Sequence, residues 1–233
     1  MENRLQIIAE SYNRSIEFGR QGINLYEKLP DYIINDPDFP AYQKLNLSGE
    51  LSGSEIKEIY NYLLPNKNMK FIDLGCCLNL RFKGYDKWPS TYYGIDISSK
   101  TIELLTEFAT ANNLQIGSLH CGSIHKMPFK DNMFDIGACI GVLEYFEKDY
   151  VAKAIVEAHR VIKPYGKFVL DIPNLGTPVC RIMMLIEEHM GRTDKFNMSP
   201  QEFEELIQGY FEIEKAIEVD SGGMIEYYLR CKK

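Results

Sequence analysis

Residues 71–79 read FIDLGCCLN. Phe71 to Leu74 have the apolar, β-favouring content of a buried strand, and Gly75 starts a turn immediately after it. Two adjacent cysteines, Cys76 and Cys77, then stand where a nucleotide-binding loop carries glycine. They raise the choice between a metal or redox site and a ligand loop built from unusual residues. The sequence on either side decides the fold in which that turn sits.

Upstream, Ile56, Ile59, Tyr60 and Leu63 recur at helical spacing, predicting a helix from about Ser54 to Leu64 that stops at Pro65. Downstream, apolar strands alternate with helices. TYYGIDIS (91–98) is a second strand, and Ser98 or Ser99 caps a helix running to Asn112. IGSLHC (116–121) and FDIGACIGV (134–142) are further strands, and a helix near 150–162 ends at KPYG before the strand KFVLDI (167–172). Such alternation produces a parallel sheet with helices on both faces. Ser199, Pro200 and Glu202 form a capping box for a last helix over 199–210. FEIEKAIEV and MIEYYLRCKK, flanking DSGG, then close the sheet edge as an antiparallel pair.

Two segments fall outside this alternation. Leu5, Ile8, Ala9, Tyr12 and Ile16 predict an amphipathic helix over 3–18, ended by Gly19 and Gly22. LPDYIINDPDFP (29–40), with three prolines, then predicts an extended or mobile connection. A helix inserted at about 175–192 would lie over the strand ends, its methionines packed on the body and Glu187 and Glu188 in solvent. The expected organisation is an N-terminal helical lid (1–53) on one domain (54–233).

Composition narrows the function. The 233 residues are 45% hydrophobic, enough for a full core. A formal net charge of −7 argues against a broad nucleic-acid-binding surface. Neither a signal peptide nor a membrane-length apolar run is visible, so a cytoplasmic protein without membrane partners is expected. The six cysteines lie mostly on apolar segments and lack C-x-x-C spacing, so free thiols and no metal site are expected.

In an open parallel sheet, ligands collect beyond the carboxyl ends of the strands. Asp73 and Gly75 close the first strand, Asp96 the second, Gly122 to Ile124 follow the third, and Cys139 to Gly141 the fourth. A strand-end carboxylate such as Asp96 suits a pair of ribose hydroxyls, but the G-x-G-x-x-G of a dinucleotide site is absent. In order and spacing, FIDLGC, YYGIDIS, GSIHKMPFKDNMFD, GVLEYF and HRVIKPYGKFVLDIPN resemble a class I S-adenosylmethionine-dependent methyltransferase, with Asp96 lying 23 residues after Asp73.

The resemblance implies a Rossmann-like, seven-stranded, mostly parallel α/β sheet with an antiparallel C-terminal pair, and S-adenosyl-L-methionine as cofactor. It implies Asp73, Gly75, Cys76 and Asn79 at the methionine part, Asp96 and Ile97 at the ribose, Ser123 and Ile124 at adenine, and Cys139 beyond the fourth strand. Cys77 and Asn79 occupy the family's second and third glycine places, and Asn79 is suited to a left-handed backbone. Ser123 replaces an acid near adenine, and Tyr145 stands where related enzymes often carry histidine. Tyr12, Tyr145 and Asn174 are the expected catalytic residues, and Glu144 stands with them as a candidate base for an amine or hydroxyl acceptor that must lose a proton. The expected acceptor is a small molecule and the expected state a monomer or homodimer. A non-catalytic cofactor-binding protein and a thiol-based soft-metal or redox protein are the alternatives.

Overall fold

The computed structural model describes residues 2–24, 28–48, 56–192, 195–219 and 223–233, with backbone only for 45–48. Seven strands form one sheet: β1 (Lys70–Leu74), β2 (Thr91–Asp96), β3 (Ser118–Cys121), β4 (Phe134–Cys139), β5 (Ile162–Pro173), β6 (Phe211–Val219) and β7 (Met224–Cys231). Their order is β3-β2-β1-β4-β5-β7-β6. The first five are parallel, and β7 lies antiparallel to both β5 and β6.

Side chains alternate across the sheet, so successive residues of β1 supply different cores. Ile72 and Leu74 join Phe168 and Leu170 beneath α7 (Lys148–Val161) and α9 (Pro200–Ile207). Phe71 faces the other way, with Tyr92, Val169 and Tyr228, beneath α4 (Ile56–Leu63) and α6 (Ser99–Ala111). Because the chain leaves β1 toward β2 and β3 on one side and reaches β4 and β5 on the other, a crevice opens at the carboxyl ends of β1 and β4.

The predicted caps form. Ser98 Oγ accepts the N–H of Thr101, and Ser199 and Glu202 close the reciprocal capping box. The segment after β1 forms no long helix, only α5 (Asn79–Phe82) and a 3-10 turn (Tyr85–Lys87). KPYG does not precede β5 but bulges from it, since Phe134 pairs with Ile162 and Ile136 with Lys167. Tyr60 is exposed rather than inward, resting edge-on against Trp88. The predicted helix start at Ser54 and most of the DSGG turn lie outside the described residues.

The proline-rich stretch is not extended. It folds into α2 (Asp31–Ile34) and the start of α3 (Phe39–Ser48), because Pro30 is an N-cap and Pro40 falls in a first helical turn, where its missing N–H costs nothing. Ile33 and Tyr42 from these helices pack on Val179, Ile182 and Ile186 of α8 (Pro178–His189). Helix α1 (Glu2–Arg20) lies against α6, where Asn13 Oδ1 accepts from Ser98 Oγ (2.8 Å) and the Lys100 N–H (3.2 Å). Among the described residues no helix is long and apolar enough to cross a membrane.

Candidate functional site

The turn after β1 is shaped by a shared carbonyl: the N–H groups of Gly75 and Cys76 both donate to Ile95 O, at 2.9 and 3.0 Å. Gly75 has φ +68°, and a Cβ there would stand 2.3 Å from Val142 Cγ2. Only glycine tolerates both conditions. Cys77 follows with φ +38°, and its N–H donates to Asp96 Oδ2 at 2.9 Å. The other oxygen, Asp96 Oδ1, accepts the Ser98 N–H at 2.8 Å. Two backbone donors thus set the carboxylate plane, while burial pushes the Asp96 pKa upward.

Asp96, Ile97, Ile124 and Gly75 share a cavity of about 100 Å³ with Tyr12 of α1 and Tyr145 of the 3-10 turn Leu143–Tyr145. The two tyrosine rings meet edge-on, with centroids 5.9 Å apart. Six of the residues singled out in the sequence therefore converge on one cavity wall. Cys77 and Gly141, which the sequence places in the cofactor loop and at the fourth strand end, also line it, while Val142, Phe146 and Ile8 complete much of the rest without having been placed there from the sequence.

The remaining predicted residues lie behind or beside that wall. Asp73 is fully buried, accepting from the Tyr92 hydroxyl at 2.9 Å and, over a long 3.5 Å, from Asn79 Nδ2. Burial pushes its pKa up to about 7. Asn79 begins α5 and does not take the left-handed backbone expected of it; Cys77 takes that conformation instead. Ser123 Oγ lies 2.7 Å from both His125 Nδ1 and the Tyr150 hydroxyl. Cys139 is buried at the end of β4. The structure does not bring Asn174 to the cavity: its carbonyl accepts from Thr177 at the entry to α8.

The adjacent cysteines part company. Cys76 is buried in the β1–β2 core beneath Gly94, whereas Cys77 faces the cavity. Burial raises both thiol pKa values, that of Cys77 to about 11, which disfavours thiolate chemistry at neutral pH.

Helix α8 supplies a group that sequence reasoning missed. Arg192, just beyond the helix, is 1% exposed. Its Nε donates to Ser11 Oγ of α1 at 2.7 Å, it pairs with Glu187, and its guanidinium lies 3.9 Å from the Tyr12 ring centroid. Glu187 is therefore not the solvated acid expected, because Arg192 folds back over its own helix to meet it. Glu188 does face solvent, paired with Lys195. No local pattern announces a buried arginine that ties two distant helices.

Sheet order and crevice together define the Rossmann-like fold of the class I S-adenosylmethionine-dependent methyltransferases. Residues 72–170 match the family described as "Methyltransferase domain". An uncharacterized protein of Methanocaldococcus jannaschii is 34% identical over 139 residues, 59% of this chain and 56% of that protein. The uncharacterized methyltransferase YcgJ of Bacillus subtilis is 26% identical over 101 residues, 43% of this chain and 39% of its own. The chain thus spans about half or less of the length of these relatives. Geranyl diphosphate C-methyltransferase of Streptomyces coelicolor A3(2), solved with Mg²⁺, geranyl diphosphate and S-adenosyl-L-homocysteine, superposes with a TM-score of 0.63 over 88% of each chain. At 12% identity that likeness is one of fold.

Proposed function

We propose that this chain binds S-adenosylmethionine in the β1–β4 crevice and transfers its methyl group to a small-molecule acceptor beneath a roof made by α1 and the α8 segment. The observation that carries the reading is Asp96, a strand-end carboxylate oriented by two backbone N–H groups on a cavity wall. Its remaining lone pairs suit the two ribose hydroxyls. Ile97 and Ile124 offer apolar surface for adenine, and Gly75 lets the backbone approach the methionine part.

When bound, the cofactor supplies a sulfonium-activated methyl group. The protein's share is to align the acceptor and exclude water. Ile8 and Tyr12 help to close the cavity from α1. Its volume, about 100 Å³, is well below the roughly 300–1,000 Å³ of ordinary ligand pockets. Because Ile8 and Tyr12 form part of its wall, an outward movement of α1 would widen the cavity for a cofactor, as a lid does.

Calorimetry with S-adenosylhomocysteine tests the reading. Asp96→Ala should lower affinity about tenfold or more, since a charge-assisted hydrogen bond contributes about 1.5–3 kcal/mol. Circular dichroism checks that the variant folds. Unchanged affinity would remove the ribose assignment, and no binding by the parent protein would remove the methyltransferase reading.

A further inference from the structure

Gly141 lies where two buried carboxylates meet. Its N–H donates to Asp171 Oδ1 at 2.8 Å, and a Cβ on it would stand 3.8 Å from Glu144 Oε1. The same glycine, with φ +71°, is part of the cavity wall. Glu144 and Asp171 are 6% and 5% exposed, so neither has ready access to water. Glu144 Oε2 is buried without a hydrogen-bond partner among the described residues. Leaving such an acceptor unsatisfied costs about 1–3 kcal/mol, more if it is charged, which a donor arriving in the cavity would relieve.

Among the described residues, the surroundings do not neutralise this pair. From α8, Glu187 adds negative charge but is engaged by Arg192, and Cys180 is a buried thiol. Cys139 on β4 is likewise a buried thiol. On β7, Glu226 is the register partner of Asp171, and its Oε2 accepts from the Tyr228 hydroxyl. Tyr145 on the same turn and Tyr12 on α1 are phenols held neutral by burial. Lys83, after α5, acts on Asp171 as a favourable charge.

We propose that Glu144, backed by Asp171, holds the ammonium group of a small amine acceptor beside Gly141 and takes its proton, making the protein an N-methyltransferase for amines with an apolar body. This rests on the methyltransferase reading above. The N–H bond breaks toward Glu144, whose carboxylate becomes a carboxylic acid, and the nitrogen keeps the electron pair. That pair forms the new N–C bond to the sulfonium methyl, while the C–S pair returns to sulfur to leave a neutral thioether. The methylated nitrogen carries the positive charge forward.

Other acceptor classes fit less well. A carboxylate or thiolate would bring a further anion against Glu144 and Asp171. An alcohol holds its proton too strongly for a carboxylate to remove. An alkylammonium ion titrates near 10, and burial, reinforced by Asp171, raises the Glu144 pKa toward that value. Ile140, Val142 and Phe146 supply the apolar wall for the rest of the molecule.

The test uses benzylamine, benzyl alcohol and phenylacetate as shape-matched probes, titrated by calorimetry into the full chain saturated with S-adenosylhomocysteine. Benzylamine should bind about tenfold or more tightly than either of the others, and labelled S-adenosylmethionine should methylate its nitrogen. Glu144→Gln should weaken benzylamine about tenfold, as expected for removing one member of a buried charge pair, while S-adenosylhomocysteine affinity stays within about twofold. Asp171→Asn, which keeps a carbonyl for the Gly141 N–H, should weaken the amine less and carries the test if Glu144→Gln fails to fold. Equal binding of the alcohol or the acid, no binding of benzylamine, or an unaltered amine affinity in the variants overturns the proposal. Those outcomes with S-adenosylhomocysteine still bound leave the methyltransferase reading standing; loss of S-adenosylhomocysteine binding by the parent protein removes both.

Discussion

At Cys77 the backbone has φ +38°, a conformation that costs a residue with a Cβ about 1–2 kcal/mol. The strain accompanies the hydrogen bond from its N–H to Asp96. Glycine would make the same bond without the strain, because the contact uses backbone alone. Cys77→Gly should therefore keep S-adenosylhomocysteine affinity or tighten it severalfold, with a melting temperature equal to the parent's or higher. Calorimetry and thermal melting check this, with metal analysis of both proteins alongside. Loss of a stoichiometric metal together with activity would revive the soft-metal reading. That a cysteine pair occupies the loop was legible from residues 76 and 77. Which of the two bears the left-handed backbone was not, since φ depends on the Ile95 carbonyl and the Asp96 carboxylate, both on another strand.

At the scale of elements, α1 and the α8 segment are joined through one side chain. Arg192 reaches Ser11 and Ser15 of α1, stacks on Tyr12 and pairs with Glu187. Breaking a buried pair of this kind costs about 3–5 kcal/mol. Helix α1 touches the cavity through Ile8 and Tyr12, whereas α2 and α3 pack on α8 instead. The informative truncation therefore removes residues 1–24 and spares α2. Removing them should leave the sheet folded by circular dichroism and weaken S-adenosylhomocysteine about tenfold, as the apolar cover of Ile8 and Tyr12 is lost. Full affinity in the truncated protein would make α1 an appendage rather than a lid. The periodicity of α1 was readable from five apolar residues. The short helices after it were not, because proline signals a break without revealing that it can also begin a helix.

For the molecule as a whole, burial raises the pKa of a set of carboxylates around the crevice. Asp73 is pushed up to about 7, and Asp96, Glu144, Asp171 and Glu187 move in the same direction. Unfolded, these acids lose their protons near 4. Folded, Asp73 keeps its proton until about pH 7, so over that interval the folded state binds more protons and stability falls as pH rises. His125, whose pKa is lowered by partial burial, acts in the opposite direction as a single group against this set of acids. The ligand-free protein should melt about 5 °C or more lower near pH 8 than near pH 5.5, with Asp73→Asn flattening part of the dependence. Differential scanning calorimetry across that range decides it. A melting temperature that rises with pH would mean that these acids are ionised at little cost in the folded state.

The local sequence determined whatever depends on near neighbours: the strands with their apolar runs, the Ser98 and Ser199 caps, the β-α alternation that makes a parallel sheet, and the strand-end positions of Gly75 and Asp96. Each rests on backbone preference or periodicity within a few residues. Tertiary structure alone decided which strand ends face one cavity, that Cys77 lies on its wall while Cys76 is buried, that Asn174 stays away, and that Glu144 and Asp171 meet at Gly141. Those facts come from register between strands and from helices folding back over the crevice. Charge burial is their product: a carboxylate's cost and pKa are set by what excludes water around it, and here the excluding groups come from β4, β5, β7, α1 and α8.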